Sequence, residues 1–256
     1  NPDSKDIKMI SIPRDTIVEL AEPYYITEKI NAAHAYGGAK YAKEIVSDYL
    51  GIPIQFYATM DFDGLIELVD AVGGVTVDSD LAFSQGLYRN QGQKVDIIEG
   101  EQLLNGDEAL AYARMRKTDP RGDFGRQDRQ QQVIVAILEK LVSFKTVTNF
   151  TNILNAVSPY LETNATPSQM ITIAANYMDT VSDIEQLHLE GYADSQYFPH
   201  YGLDVYTWQA YEESLIEVQD ELKQHLGLDS SFNIEEQDPN DTSFTFQKED
   251  NDNLNN

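Results

Sequence analysis

The sequence predicts a single α/β (α+β) domain, a central mixed β-sheet flanked by helices. Three observations predict it. Short β-branched or aromatic runs alternate along the chain with stretches of helical periodicity. No internal repeat and no linker interrupts residues 1–228. With 256 residues, 41% of them apolar and 10% aromatic, the chain can build one sizeable core.

Taken in order, residues 7–12 (I-K-M-I-S-I) read as a short buried strand broken by Pro13 and followed at once by Arg14-Asp15. An arginine leaving a buried strand stands where a scaffold can position a ligand group; paired with Asp15 at a sheet edge, it is equally an ordinary structural residue. Residues 28–50 are alanine-rich and helical, interrupted at Gly37-Gly38, and Lys29, Asn31 and His34 read there as ordinary helix residues. Residues 54–62 read as a strand. Asp63 reads as the cap of a helix that stops at Gly73-Gly74, and residues 75–77 as the next strand. Residues 81–95 look like a loop, and 99–110 like a helix feeding the basic stretch described below. A long helix over 125–142 has apolar residues at Val133, Ile134, Ile137, Leu138 and Leu141, the spacing of one buried face, and 152–157 continues helical. Thr166-Pro167 opens a helix to about 178, an N-cap followed by proline at the first helical position. Residues 185–190 read as a strand and 206–226 as an amphipathic helix closed by Gly227. Residues 229–256 are acidic, Asn-rich and poor in apolar groups, so a disordered tail is expected.

The absence of cysteine excludes disulfides, thiol nucleophiles and cysteine-ligated metals. Four histidines (His34, His188, His200, His225) show no metal-ligand spacing. No apolar run reaches the roughly 18 residues of a membrane span, and no signal peptide is present. The chain opens without Met, so a missing anchor carries little weight. Net charge is −25, and after Lys145 only Lys223 and Lys248 are basic. Nucleic acid is not an expected partner, because neutralising its phosphates needs a broad basic face.

One stretch departs from this acidic background. Residues 111–132 hold five of the seven arginines, namely Arg114, Arg116, Arg121, Arg126 and Arg129. With Lys117 and the interleaved Asp119, Asp123 and Asp128, the stretch carries +3. Guanidinium forks match phosphate oxygens two at a time and cannot lose their charge, so such a cluster suits a dense anion. Exposed ion pairs with the three aspartates are the structural alternative. Asp123 is a candidate N-cap with Gly125 in the first turn, and Arg126, Arg129 and Gln130 share the face near that helix start. Unpaired N–H groups and the helix dipole also favour phosphate there. Arg114 and Arg116 point the same way if their segment is extended. A phosphate or pyrophosphate site is the reading these residues support best.

Four motifs in order, S-I-P-R-D at 11–15, K-I-N-A-A-H-A-Y-G-G at 29–38, L-V-D-A-V-G-G-V at 68–75 and Y-A-R-M-R-K-x-D-P-R-G-D-x-G-R-Q-x-R-Q at 112–130, resemble those of the LytR-CpsA-Psr (LCP) family. They span roughly residues 1–145. The resemblance implies an LCP-type fold and a phosphotransferase that moves an anionic glycopolymer, such as teichoic acid or capsule, from a polyprenyl-pyrophosphate carrier onto peptidoglycan. A pyrophosphatase acting on the same lipid and a non-catalytic envelope protein that binds the carrier or polymer are the alternatives. It implies a pyrophosphate set of Arg14, Arg114, Arg116, Arg121, Arg126, Gln127, Arg129 and Gln130, with Arg14, Arg121 and Arg129 in the catalytic role. Asp123 and Arg126 match positions that hold the loop and helix start in shape. It implies Mg²⁺, held by aspartates of a motif that would precede Asn1, and anchoring by one N-terminal helix at the extracellular face of the membrane. No general base is evident, and Asp15 is a weak candidate.

Overall fold

The computed structural model describes residues 6–143, 147–177, 184–229 and 232. Strand β1 (Ile7–Ile10) runs parallel to β10 (Ile184–Leu187), pairing Ile7 with Ile184. β2 (Ile17–Leu20) and β3 (Ile26–Lys29) form an antiparallel hairpin. Helix α1 (Ala32–Leu50) is broken where the glycine pair was expected to interrupt it. Gly38 adopts φ 71°, and a Cβ on Gly37 would stand 2.5 Å from Cβ of Tyr41. Glycine is required there by both backbone and space.

The expected strand at 54–62 contracts to β4 (Ala58–Met60). Helix α2 (Phe62–Ala71) is capped by Asp61, whose carboxylate accepts the Gly64 N–H at 2.8 Å; Asp63, the residue expected to cap it, lies inside the first turn. β5 (Val75–Ser79) alternates buried and exposed residues along its length. The expected loop at 81–95 is instead largely a hairpin, β6 (Phe83–Gly86) with β7 (Lys94–Ile97). The helix expected over 99–110 is half strand. β8 (Gly100–Leu104) pairs with β5, and only then does α3 (Gly106–Arg114) begin, under a reciprocal Asn105–Glu108 capping box. Gly100 at φ 98° is unsuited to a helix interior, and pairing with β5 decides the matter.

α4 (Asp123–Ser143) and α5 (Val147–Val157) follow, then a 3-10 turn at Ser158–Tyr160 and β9 (Leu161–Thr163), which pairs with β4. α6 (Pro167–Tyr177) starts at the expected proline, with the Thr166 hydroxyl accepting the Gln169 N–H at 3.2 Å. After β10 the chain forms a long antiparallel hairpin, β11 (Gly191–Phe198) with β12 (Leu203–Ala210), and only then α7 (Glu212–His225). The expected helix over 206–226 therefore loses its first turn to a strand, since Tyr206 and Trp208 belong to the pleat. The acidic tail expected at 229–256 lies, apart from Asp229 and Phe232, outside the described residues.

The α/β class holds, with both parallel and antiparallel pairing, but the described strands pair two by two rather than in the one central mixed sheet expected. A parallel bridge, Thr16 to Trp208, and the Trp208 N–H donating to the Asp15 carbonyl at 2.8 Å join the β2–β3 and β11–β12 hairpins. One core packs Val69, Val75, Tyr112 and Val133 between α2, β5, α3 and α4. A second gathers Leu50, Leu187, Trp208 and Leu222, and a third Leu20, Ala33 and Ile45. The first core seats the arginine stretch.

Candidate functional site

Helix α3 stops at Arg114 because Met115 turns extended (φ −63°, ψ 130°) and buries its side chain. Gly122 at φ 60° turns the chain into α4, where Asp123 is the first helical residue rather than the cap. The intervening loop folds around one buried ion pair. Arg129 and Asp119 expose 1% and 0% of their side chains and meet at 2.7 Å through Nη1 and Oδ2. Arg129 Nη2 donates to the Met115 carbonyl at 2.8 Å, and the guanidinium lies against the Phe83 and Tyr112 rings. The other Asp119 oxygen accepts the Arg121 N–H at 2.7 Å. Burial pushes the Asp119 carboxyl up, but the Arg121 N–H and the Arg129 guanidinium outweigh it and hold it below the usual carboxylate range. A Cβ on Gly125 would stand 1.8 Å from Asp119 Oδ2, so the glycine leaves the space this carboxylate fills.

Four guanidinium groups surround this brace on the solvent side. Arg121 contacts Asp80 at 2.5 Å and Asp128 at 2.7 Å. Arg116 and Arg126 share Asp123 Oδ1 at 3.4 and 2.7 Å, contacts of charge rather than aligned hydrogen bonds, since neither that oxygen nor the buried Arg126 Nε has a hydrogen-bond partner. Gln127 donates weakly to the same carboxylate at 3.4 Å. Arg114 differs. Its guanidinium is exposed, lies 4.7 Å from the Phe62 ring centre and 5.6 Å from that of Tyr88, and has no carboxylate partner among the described residues. Cation–π contacts orient the fork and leave its charge available.

The 11–15 segment reaches this loop through α4, where Gln131 Nε2 donates to Ser11 Oγ at 2.7 Å. Arg14 beyond it is 53% exposed, 4.0 Å from Asp15, whose carboxylate is held by Lys29 at 2.9 Å. Lys29 thus closes β3 as Asp15's partner rather than opening a helix.

The structure therefore ties Arg121 and Arg129 together through Asp119, and Arg116, Arg126 and Gln127 through Asp123, while Arg114 stands outside both sets and the 11–15 segment carrying Arg14 is held at Ser11 by Gln131. Gln130 is exposed beside Arg129. The interleaved aspartates do pair with arginines, as the structural alternative expected, and Arg114 alone of the five has no carboxylate partner among the described residues. Phe62, Tyr88 and Asp80 were not found from the sequence, since they reach the loop from segments tens of residues away and carry no local signal.

The model of the LytR_cpsA_psr family matches residues 1–224. The chain belongs to the LytR-CpsA-Psr family. This LytR-CpsA-Psr chain is 41% identical over 229 residues to the polyisoprenyl-teichoic acid–peptidoglycan teichoic acid transferase TagU of Halalkalibacterium halodurans, covering 89% of this chain and 71% of that protein. The TagU of Bacillus anthracis is 39% identical over 191 residues, 75% of this chain and 60% of that protein. Among solved structures, B. subtilis TagV matches with a TM-score of 0.78 at 36% identity, over 89% of this chain and 86% of that one. No helix among the described residues is long and apolar enough to cross a membrane. Nor does any group of three or more His, Asp or Glu among them offer a metal site. Asp80, Asp119 and Asp128 are each taken by guanidinium groups, so the described residues do not fit a divalent ion.

Proposed function

We propose that this chain attaches an anionic glycopolymer, of teichoic acid or capsule type, from a polyprenyl-pyrophosphate carrier to peptidoglycan at the extracellular face of the cell membrane. The names of the TagU relatives support the transfer, with teichoic acid as the polymer and peptidoglycan as the acceptor. The observation that carries the reading in this chain is Arg114, a pre-oriented guanidinium without a carboxylate partner among the described residues, at the rim of a loop and helix start that hold four more arginines. The lipid carrier, the membrane anchor and Mg²⁺ enter from the family resemblance.

In such a reaction a sugar hydroxyl of the acceptor attacks the phosphorus that bears the polymer. The phosphoanhydride bond breaks, and polyprenyl phosphate leaves with the bridging oxygen and its electron pair. Negative charge grows on the bridging and equatorial oxygens, and guanidinium groups fixed beforehand stabilise it without reorganising. Arg114, Arg116, Arg121 and Arg14 are exposed enough to contact the phosphates. Arg126, Gln127 and Gln130 line the helix start beside them. Arg129 stands apart. Withdrawing it from Asp119 would strand a buried carboxylate, at a cost of about 3–5 kcal/mol. We assign it to positioning, as the residue that shapes the loop presenting the others.

The test is turnover of a short-chain polyprenyl-pyrophosphate-linked saccharide with Mg²⁺ and a peptidoglycan acceptor, in the parent chain and in Arg114→Gln. Acceptor-dependent transfer that falls about 100-fold in the variant is expected, the scale of losing one charge-stabilising donor. Equal rates in the two chains would overturn the assignment of Arg114. Phosphate release that ignores the acceptor would make the chain a pyrophosphatase.

A further inference from the structure

The β11–β12 hairpin presents aromatic rings to solvent, which the core does not need. Tyr197 and Tyr206 are 62% and 55% exposed. In the register Ser195 opposes Tyr206 and Tyr197 opposes Asp204, so the two tyrosines are diagonal neighbours on one face, with Ser195 and Asp204 between them. The hairpin is anchored at both ends. Near its base the Trp208 N–H donates to the Asp15 carbonyl at 2.8 Å. At its tip the Tyr201 hydroxyl and His200 Nε2 reach the buried Glu28 carboxylate at 2.7 and 2.9 Å. Lys29, Asp15's partner, lies 5.9 Å from the Tyr206 ring centre.

We propose that this face is where the acceptor glycan strand docks. The proposal rests on the transferase reading and adds the acceptor's position to it. Tyr206 is two residues along β12 from the position bonded to Asp15, about 7 Å at strand rise, and Asp204 about 14 Å. The face therefore starts beside Asp15, the residue after Arg14, and leads away from it, at distances a di- or trisaccharide spans. Its chemistry suits sugars. Tyrosine rings offer an apolar plane to sugar C–H groups and a hydroxyl at the edge, while Ser195 and Asp204 hydrogen-bond hydroxyls. Charge selects the occupant. The hairpin itself carries Asp194 and Asp204 and no lysine or arginine, and Lys29 beside Tyr206 is paired with Asp15. A phosphate-rich polymer is repelled there and drawn to the arginine loop, whereas a glycan free of phosphate is not.

The experiment is co-sedimentation of the protein with insoluble peptidoglycan chemically stripped of anionic polymer, using the parent chain, Tyr197→Ser/Tyr206→Ser, Tyr197→Phe/Tyr206→Phe and Arg114→Gln. Retention at least tenfold weaker in the Ser pair, largely kept in the Phe pair and unchanged in Arg114→Gln is expected. Nitration of the parent chain supplies a readout that needs no variant, since soluble chitohexaose should protect Tyr197 and Tyr206. Equal retention in the Ser pair, loss that tracks Arg114 instead, or no protection overturns the proposal. So does a parent dimer that the Ser pair converts to monomer without weakening retention, which would make this face a contact between copies. Glycan retention that depends on the tyrosines without any lipid turnover would sink the transferase reading and leave this surface standing.

Discussion

Arg114 and Arg129 sit fifteen residues apart in one motif and do opposite things, because burial decides what a guanidinium is for. Arg114 is stacked on Phe62 and Tyr88 with its charge open to solvent. Arg114→Lys should keep the charge but lose the planar stack and the fork, leaving donor KM raised about tenfold and kcat less affected, as steady-state kinetics would show. Arg129 is spent on Asp119. Asp119→Asn should lower stability by about 3–5 kcal/mol in denaturant titration, since it leaves the guanidinium buried and unpaired. The pair Asp119→Leu/Arg129→Met should recover much of that loss yet remain inactive, because the Arg121 N–H then has no acceptor and the loop loses its shape. The pH dependence follows from the depressed Asp119 carboxyl. Its contribution is complete above the ordinary carboxylate pKa of about 4, and is lost as pH falls through the lower folded value. Below about pH 4 the stability of Asp119→Asn should therefore fall less steeply with pH than that of the parent, read by chemical denaturation. The sequence showed that these arginines cluster. It could not show which are buried, since that depends on Phe83 arriving from β6 and on the fold of the loop around Asp119.

At the scale of elements, α4 joins the site's two halves. Gln131, 2% exposed, ties it to Ser11 and hence to the segment carrying Arg14. Gln131→Ala and Arg14→Gln should each weaken donor binding severalfold, and the double variant should be no weaker than Arg14→Gln alone. A fully additive double-variant cycle would show that the bond does not position Arg14. Helices with strong local signals were legible, among them α6 at its Thr-Pro start and α1 with its glycine break. Three misread stretches share a cause. Within 83–97, and over 100–104 and 206–210, strands form because a partner strand lies alongside each. The last two read as helix from their sequence, and pairing with β5 and β11 overrode that spacing.

For the whole molecule, charge matters most. A body of net charge −25 gathers five of its seven arginines in one stretch of net charge +3, so the body and that stretch act on an anionic polymer with opposite signs and at different ranges. Added salt should speed association of a donor bearing a long anionic polymer, by screening its repulsion from the body. It should weaken binding of a donor reduced to the pyrophosphate and one sugar. Stopped-flow binding from about 20 to 200 mM salt, a range over which the Debye length falls severalfold, measures both. The same slope for the two donors would exclude this division.

The order of motifs, the clustering of arginine in an acidic chain and the family were all determined by sequence alone, because each is a property of residues near one another along the chain. Only the tertiary structure decided which guanidinium has no carboxylate partner among the described residues, which carboxylates are taken, and where aromatic rings lie beside the loop. Those outcomes depend on burial and on contacts between distant segments: Asp80 with Arg121, Tyr88 with Arg114, Trp208 with Asp15. A charge in water and the same charge inside the core differ by several kcal/mol, and local sequence does not encode which of the two a residue will meet.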